Sequence, residues 1–287
     1  MKKGDIPIHV VTFAIVLFSL SVQLSCRKQQ NTINMSKSAK IIFLHHSTGK
    51  VILRGNTSRV LYKLGFKGGV DKILTKYNKK NGTNYLFSSK VFPENEVYGW
   101  NNYPYDYYNI WVKNSGDKPF KDEPTLEILT KTFNVIIFKH CFPVSSVIES
   151  AGTPNLDSGE KTIDNYKLQY IALKDKIKQF PETKFILWTG AALVKNETNE
   201  KDAQRAKEFF DWVVKEWDET GDNIFIWDFR KLETGGGLYL LDKYASASND
   251  SHPGKSFAAR VAPLFCQRII DVIENRGDSS NNTGEKN

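Results

Sequence analysis

Short apolar runs recur along the chain, and helical patterns fill the intervals between them. Ile41–Leu44, Asn134–Lys139 (NVIIFK), Lys184–Thr189 (KFILWT) and Asn223–Phe229 (NIFIWDF) are brief, rich in β-branched and aromatic residues, and read as buried strands, with a further strand near Tyr85–Phe92. Between them, Arg59–Leu64, Gly69–Tyr77, Ile163–Phe180 and Lys201–Trp217 carry apolar residues at helical spacing, and Lys255–Ile273 closes the pattern as a helix. Strands buried on both faces and alternating with helices make a parallel sheet covered on each side, so the chain is expected to be an α/β, three-layer α/β/α sandwich with a mostly parallel sheet. No internal repeat and no second domain is apparent. Two stretches break the rhythm, Phe92–Glu123 and Lys231–Ser251. Both leave carboxyl ends of strands, the edge where open α/β sheets bind ligands, and long irregular loops in such places are usually functional or disordered.

The ends read differently. Lys2 and Lys3 precede an apolar run, Val10 to Leu20, followed by Gln23-Leu24-Ser25-Cys26. The run has secretory-signal proportions and is short for a membrane span. Ser25-Cys26 resembles a bacterial lipoprotein cleavage site, although Gln23 stands where an aliphatic residue is usual. Residues 1–25 are therefore expected to be a lipoprotein signal peptide with Cys26 as the lipidated residue, and an ordinary signal peptide cut nearby is the alternative. Both imply a protein that works outside the cytoplasm, in the cell envelope or secreted. Residues 26–39 are polar and read as a tether, 40–275 as one domain, and 276–287 (RGDSSNNTGEKN), which has no apolar content, as a disordered tail. The formal net charge is +8, of which +7 remains without residues 1–25, and no block of five or six like charges occurs. A solvated basic surface is expected and nucleic acid is not.

The chemistry concentrates at two points. The first strand runs into His45-His46-Ser47-Thr48-Gly49, a polar corner that places Ser47 at a strand's carboxyl end. Far downstream, Asn249-Asp250-Ser251-His252-Pro253 sets a carboxylate two residues before a histidine, just ahead of the last helix. A serine hydroxyl needs a base to take its proton and a third group to orient that base. Ser47, His252 and Asp250 supply these three types. Ser-Thr-Gly alone is an ordinary turn, and it gains meaning only together with the late Asp and His. A zinc site built from His45, His46, His140 and His252 lacks the tight His-x-x-x-His spacing, so no metal and no cofactor is expected. Cys141 and Cys266 could pair in an oxidising compartment, but two cysteines are no disulfide framework, and a buried structural thiol is the default reading of Cys141.

In the order of these motifs the chain resembles the SGNH (GDSL-type) hydrolases, as a divergent branch. That resemblance implies a flavodoxin-like three-layer fold, a nucleophile at Ser47 after the first strand, and an acid–histidine pair before the last helix, at Asp250 and His252. It also implies an oxyanion hole to which Gly99, in VYGWNN after the second strand, contributes. The chain departs from the family in three places. The nucleophile block reads His-Ser-Thr-Gly instead of Gly-Asp-Ser. The residue three before His252 is Asn249, which leaves open a Ser-His dyad supported by that amide. The asparagine expected after the third strand is absent, since Lys139–Ser146 reads KHCFPVSS, and His140 or a serine is left to act as donor. His46 is expected to line the site, or else to be a core histidine. Tyr98–Trp111 holds seven aromatic residues, Trp100 among them, and either offers a sugar-stacking surface or folds upon its own rings. The resemblance implies an esterase that removes an O-acyl group, O-acetyl foremost, from a small molecule or a glycan, while held to a membrane by its lipid. A non-catalytic glycan-binding lipoprotein and an acyltransferase are the alternatives.

Overall fold

The computed structural model describes residues 37–94 and 96–286. The expected signal peptide, Cys26 and most of the expected tether lie outside the described residues. Five parallel strands form the central sheet: β1 (Ser38–His45), β2 (Asn84–Val91), β3 (Val135–Lys139), β4 (Lys184–Trp188) and β5 (Ile224–Trp227), in the order β2-β1-β3-β4-β5. This is the flavodoxin-like doubly wound order. The register runs Ile41 beside Phe87 and Val135, Val135 beside Lys184, and Phe185 beside Ile224.

Alternation along the strands divides the core in two. Ile41, Phe43, Ile137, Trp188 and Trp227 face the helices Ser47–Arg54, Gly69–Asn81 and Lys255–Ile273. Ile42, Leu44, Ile136, Phe138 and Leu187 face the opposite layer, which contains the helices Ile163–Ile177 and Glu200–Trp212. Strand β3 is buried at all five positions, which is why its sequence reads as an apolar run without alternation. Phe43 stacks on Trp188 at 5.2 Å, and Trp188 meets Trp227 edge-on at 4.4 Å. A fully buried side chain of this size contributes roughly 1.5–3 kcal/mol. The helices that follow β1 and β3 lie on opposite faces, so the switch point where such sheets open a crevice falls beside the end of β1.

Two expectations need correction. Phe92–Glu123 is not an irregular excursion. It holds the helical turns Pro104–Tyr107 and Tyr108–Lys113, and Tyr107 and Trp111 are fully buried against Phe138. Nor is the C-terminal segment a disordered tail. Trp227 Nε1 donates to Thr283 O at 2.9 Å, Asp228 N to Asn282 O at 2.9 Å, and Arg268 Nη1 to Ser280 Oγ at 3.0 Å. Gly277 lies so close to the Phe225 ring that a Cβ there would come within 2.5 Å of it. Hydrogen bonds and a close glycine hold this segment, and hydropathy registers neither.

Candidate active site

Strand β1 ends at His45, His46 makes the turn, and Ser47 opens the helix Ser47–Arg54. The first intrahelical bond is Lys50 N to His46 O at 3.2 Å, and no side chain caps the helix. The N–H groups of its first residues thus have no partner within the helix, and they carry the positive end of the dipole to the sheet edge where Ser47 is exposed. His45 packs under this first turn, and a Cβ on Gly49 would lie 2.5 Å from His45 Cβ. Glycine is what lets the helix start so tightly on the histidine. His45 Nδ1 donates to His46 O at 2.7 Å, and burial lowers its pKa to about 4, so the ring is neutral near pH 7.

The two-stranded hairpin β6 (Ala245–Ala247) and β7 (Asp250–Pro253) brings the late motif to the same edge. Ser47 Oγ and His252 Nε2 are 2.8 Å apart, and His252 Nδ1 lies 2.6 Å from Asp250 Oδ1. A carboxylate only accepts, so Nδ1 carries the proton and Nε2 is free to accept the Ser47 hydroxyl. The His252 backbone N–H also donates to Asp250 Oδ1 at 2.9 Å. That bond, with the one from the ring, holds the Asp250 carboxyl below the usual carboxylate range. Two features fix the hairpin. Val194 N donates to Ser251 Oγ at 3.0 Å, and Gly254 N donates to Tyr244 O at 2.7 Å where a Cβ would meet Ala245 O at 2.9 Å. Phe142 sets its ring edge-to-face with His252 at 5.2 Å. Asn249 sits exposed in the hairpin turn, and the Nδ1 partner is Asp250.

The remaining candidates divide. Gly99 has φ of 106°, a conformation open to glycine, in the loop that carries Trp100. Trp100 is 57% exposed and meets the His46 ring edge-on at 5.4 Å, which ties this loop to the turn before Ser47. His46 is buried, with Nε2 on Pro93 O at 2.8 Å, and burial lowers its pKa to about 4. It supports the wall of the site as a neutral ring.

His140 does not reach the site. It continues the face of Phe138, away from the helix that Ser47 opens, and its Nε2 lies 2.5 Å from the Tyr170 hydroxyl in the core. Ser145 is equally committed, donating to Ala191 O at 2.5 Å. His140 Nε2 and the Ser145 hydroxyl are thus both engaged in the interior, while Ser146 of the same block is exposed. Asn102, buried after Trp100, directs its side-chain Nδ2–H to Phe92 O, and its backbone carbonyl accepts from Cys141 N at 3.0 Å. The backbone N–H groups that open the helix Ser47–Arg54 remain without an intrahelical partner.

Sequence reasoning passed over Phe142, Ser251 and Lys139. The first two carry no local signal. Lys139 does, because it ends an apolar strand on the parity of Ile137, the face of His45. Its ammonium is fully buried, donates to His140 O and lies 5.8 Å from the centre of the Trp188 ring. On that side Glu233 is buried, its pKa raised to about 8 by burial, and it accepts Ala192 N–H at 2.6 Å. Cys141 and Cys266 are both free. Among the described residues no group of three or more His, Cys, Asp or Glu is placed to hold a metal.

No protein-family profile matches the chain, and no curated protein matches it in sequence. Among solved structures, that of a gut microbial diltiazem-metabolizing enzyme is similar at a TM-score of 0.42 and 12% identity, over 84% of this chain and 47% of that one. The chain thus spans about half the length of the protein it matches.

Proposed function

We propose that the protein is a serine esterase of SGNH type, from a divergent branch, that removes an O-acyl group and works outside the cytoplasm on a lipid anchor at Cys26. The observation that carries the reading is the continuous chain of hydrogen bonds from Asp250 through His252 to Ser47, at 2.6 and 2.8 Å. His252 Nε2 takes the proton as Ser47 Oγ attacks the ester carbonyl, and Asp250 stabilises the imidazolium that forms. The carbonyl π pair moves to oxygen, and the backbone N–H groups at Ser47 and Gly99 receive that charge. The imidazolium returns its proton to the departing alcohol, leaving an acyl group on Ser47. Water, deprotonated by the same nitrogen, then releases the acid and restores the hydroxyl.

Trp100 supports a carbohydrate ester as substrate. It is a large exposed ring next to the turn that precedes Ser47, and such a ring suits the apolar face of a sugar. A second reading, a non-catalytic glycan-binding protein, draws on the engagement of His140 Nε2 and the Ser145 hydroxyl in the core, which leaves the missing asparagine without a replacement at either residue. Turnover of 4-nitrophenyl acetate separates the two. The esterase reading expects Ser47→Ala to lower kcat on the order of 10⁴-fold or more with the fold intact by circular dichroism. Turnover in the variant equal to the parent would remove Ser47 from the mechanism, and no turnover in either would favour binding alone.

A further inference from the structure

Directly after the helix that Ser47 opens, residues 56–68 form a loop closed at its neck. Thr57 Oγ1 donates to Lys67 O at 3.1 Å, and Lys72 Nζ donates to Thr57 Oγ1 at 2.9 Å. Gly55 and Gly69 pass so close that a Cβ on either would lie 3.2 Å from the other's Cα. Within the loop, the short helix Arg59–Lys63 buries none of its residues. Its apolar side chains point outward instead: Val60 is 67% exposed, Leu61 44%, Leu64 69% and Phe66 57%. Internal bonds such as Leu64 N to Val60 O at 3.0 Å and Phe66 N to Leu61 O at 3.1 Å keep this tip in shape. A loop that is ordered, apolar and uncovered is built to meet something.

Charge says what it meets. Arg59, Lys63 and Lys67 stand among these side chains, and none of them makes an ion pair among the described residues. From Ile6 through Val70 the chain contains no aspartate or glutamate at all. With Asp71 at its base as the nearest acidic residue in sequence, acting on Lys67, an apolar tip among Arg59, Lys63 and Lys67 keeps a net positive charge and complements an anionic lipid surface. Leu64 and Phe66 would enter the acyl boundary, and the cations would rest on the headgroups.

We propose that the loop 56–68 is an interfacial membrane contact selective for anionic lipid. This contact would be separate from any lipid at Cys26, and it does not depend on the reading of Ser47 as a nucleophile. An electrostatically tuned contact of this kind adds affinity for anionic lipid to whatever acyl chains supply. It would also hold the domain in a fixed attitude to the membrane.

The test follows amide hydrogen exchange of the full chain on vesicles of phosphatidylcholine alone and on vesicles with about 30 mol % phosphatidylglycerol. An anchor or leader would insert into both, so the readout is the exchange of residues 59–67 themselves. On the anionic vesicles their exchange should slow about tenfold relative to the neutral ones, and Leu64→Ser with Phe66→Ser should abolish the slowing without altering turnover of a soluble ester. Equal exchange on the two vesicle types would overturn the proposal. So would slowing that appears without vesicles as protein concentration rises, which would make a second copy of the chain the occupant.

Discussion

Asp250 and His252 are two residues apart on one short strand, which lets Asp250 Oδ1 accept both the ring Nδ1–H and the backbone N–H of the same histidine. The acid is thereby fixed to its base by two bonds, while Asn249 turns to solvent. In the proposed mechanism His252 takes the serine proton, and a carboxylate at Nδ1 would stabilise the new positive charge, whereas an amide could only orient the ring. Asp250→Asn is therefore expected to lower kcat for a short-chain ester by roughly 10³–10⁴-fold, and Asn249→Ala by less than about tenfold. Steady-state kinetics of the two variants checks this, and the reverse order would make Asn249 the orienting group. The residue types of this cluster are legible in the sequence because each lies in a local turn motif. The nearness of Ser47 to His252, 205 positions away, follows only from the sheet that those motifs punctuate. Phe142 is not legible at all, since its contact with His252 is made from a single 3-10 turn, Phe142–Ser145, too short for any periodicity to record.

Strand β3 shows how one element separates residues that are neighbours in sequence. Lys139 and His140 are adjacent, yet alternation sends the lysine to the side of His45 and Trp188 and the histidine to the side of Tyr107 and Tyr170. The apolar run makes the strand legible. Which face its last polar residue takes depends on parity, and parity is what rules His140 out as an oxyanion donor. On the same side as Lys139, the helix Phe229–Thr234 that follows β5 buries Glu233. With its pKa raised to about 8 from an ordinary 4.5, Glu233 binds its proton more tightly in the folded chain than in the unfolded one. Stability from this group is complete at low pH and is lost as pH rises toward 8. His45 and His46, lowered to about 4, act in the opposite sense, gaining stability as pH rises toward 6.5 and nothing beyond it. Between pH 6.5 and 8 the fall from Glu233 is thus unmasked, at most roughly 2 kcal/mol. Thermal melts should show Tm decreasing over that window, and Glu233→Gln, which keeps an acceptor for Ala192 N–H, should flatten the decrease. A slope unchanged in the variant would mean that Glu233 is already ionised in the folded protein.

The layered architecture is the most legible property of the whole molecule, because strands buried on both faces must be covered on both faces. The helix Lys255–Ile273 stands at its expected bounds. The segment after it escapes such reasoning, since it docks through the Arg268 side chain, the Trp227 indole N–H and the Asp228 backbone N–H instead of apolar surface. The proposed attachment to a membrane belongs at this scale too. No helix among the described residues is long and apolar enough to cross a membrane, and a lipid on Cys26 would attach the protein without one. Intact-mass analysis of the protein isolated from its own cells should find acyl chains on an N-terminal Cys26. An unacylated N-terminus, or one that begins further along, would leave simple secretion.

All of the chemistry turns on whether Ser47 forms a covalent intermediate. The most direct measurement is labelling of the purified protein with an alkyl fluorophosphonate, which phosphonylates a serine only where a base removes its proton and fluoride can leave. Intact mass and peptide mapping should show one phosphonyl group per chain on the peptide that contains Ser47, and labelling should slow sharply in His252→Ala. Absence of label, or label on any other residue with Ser47 unmodified, would contradict the account.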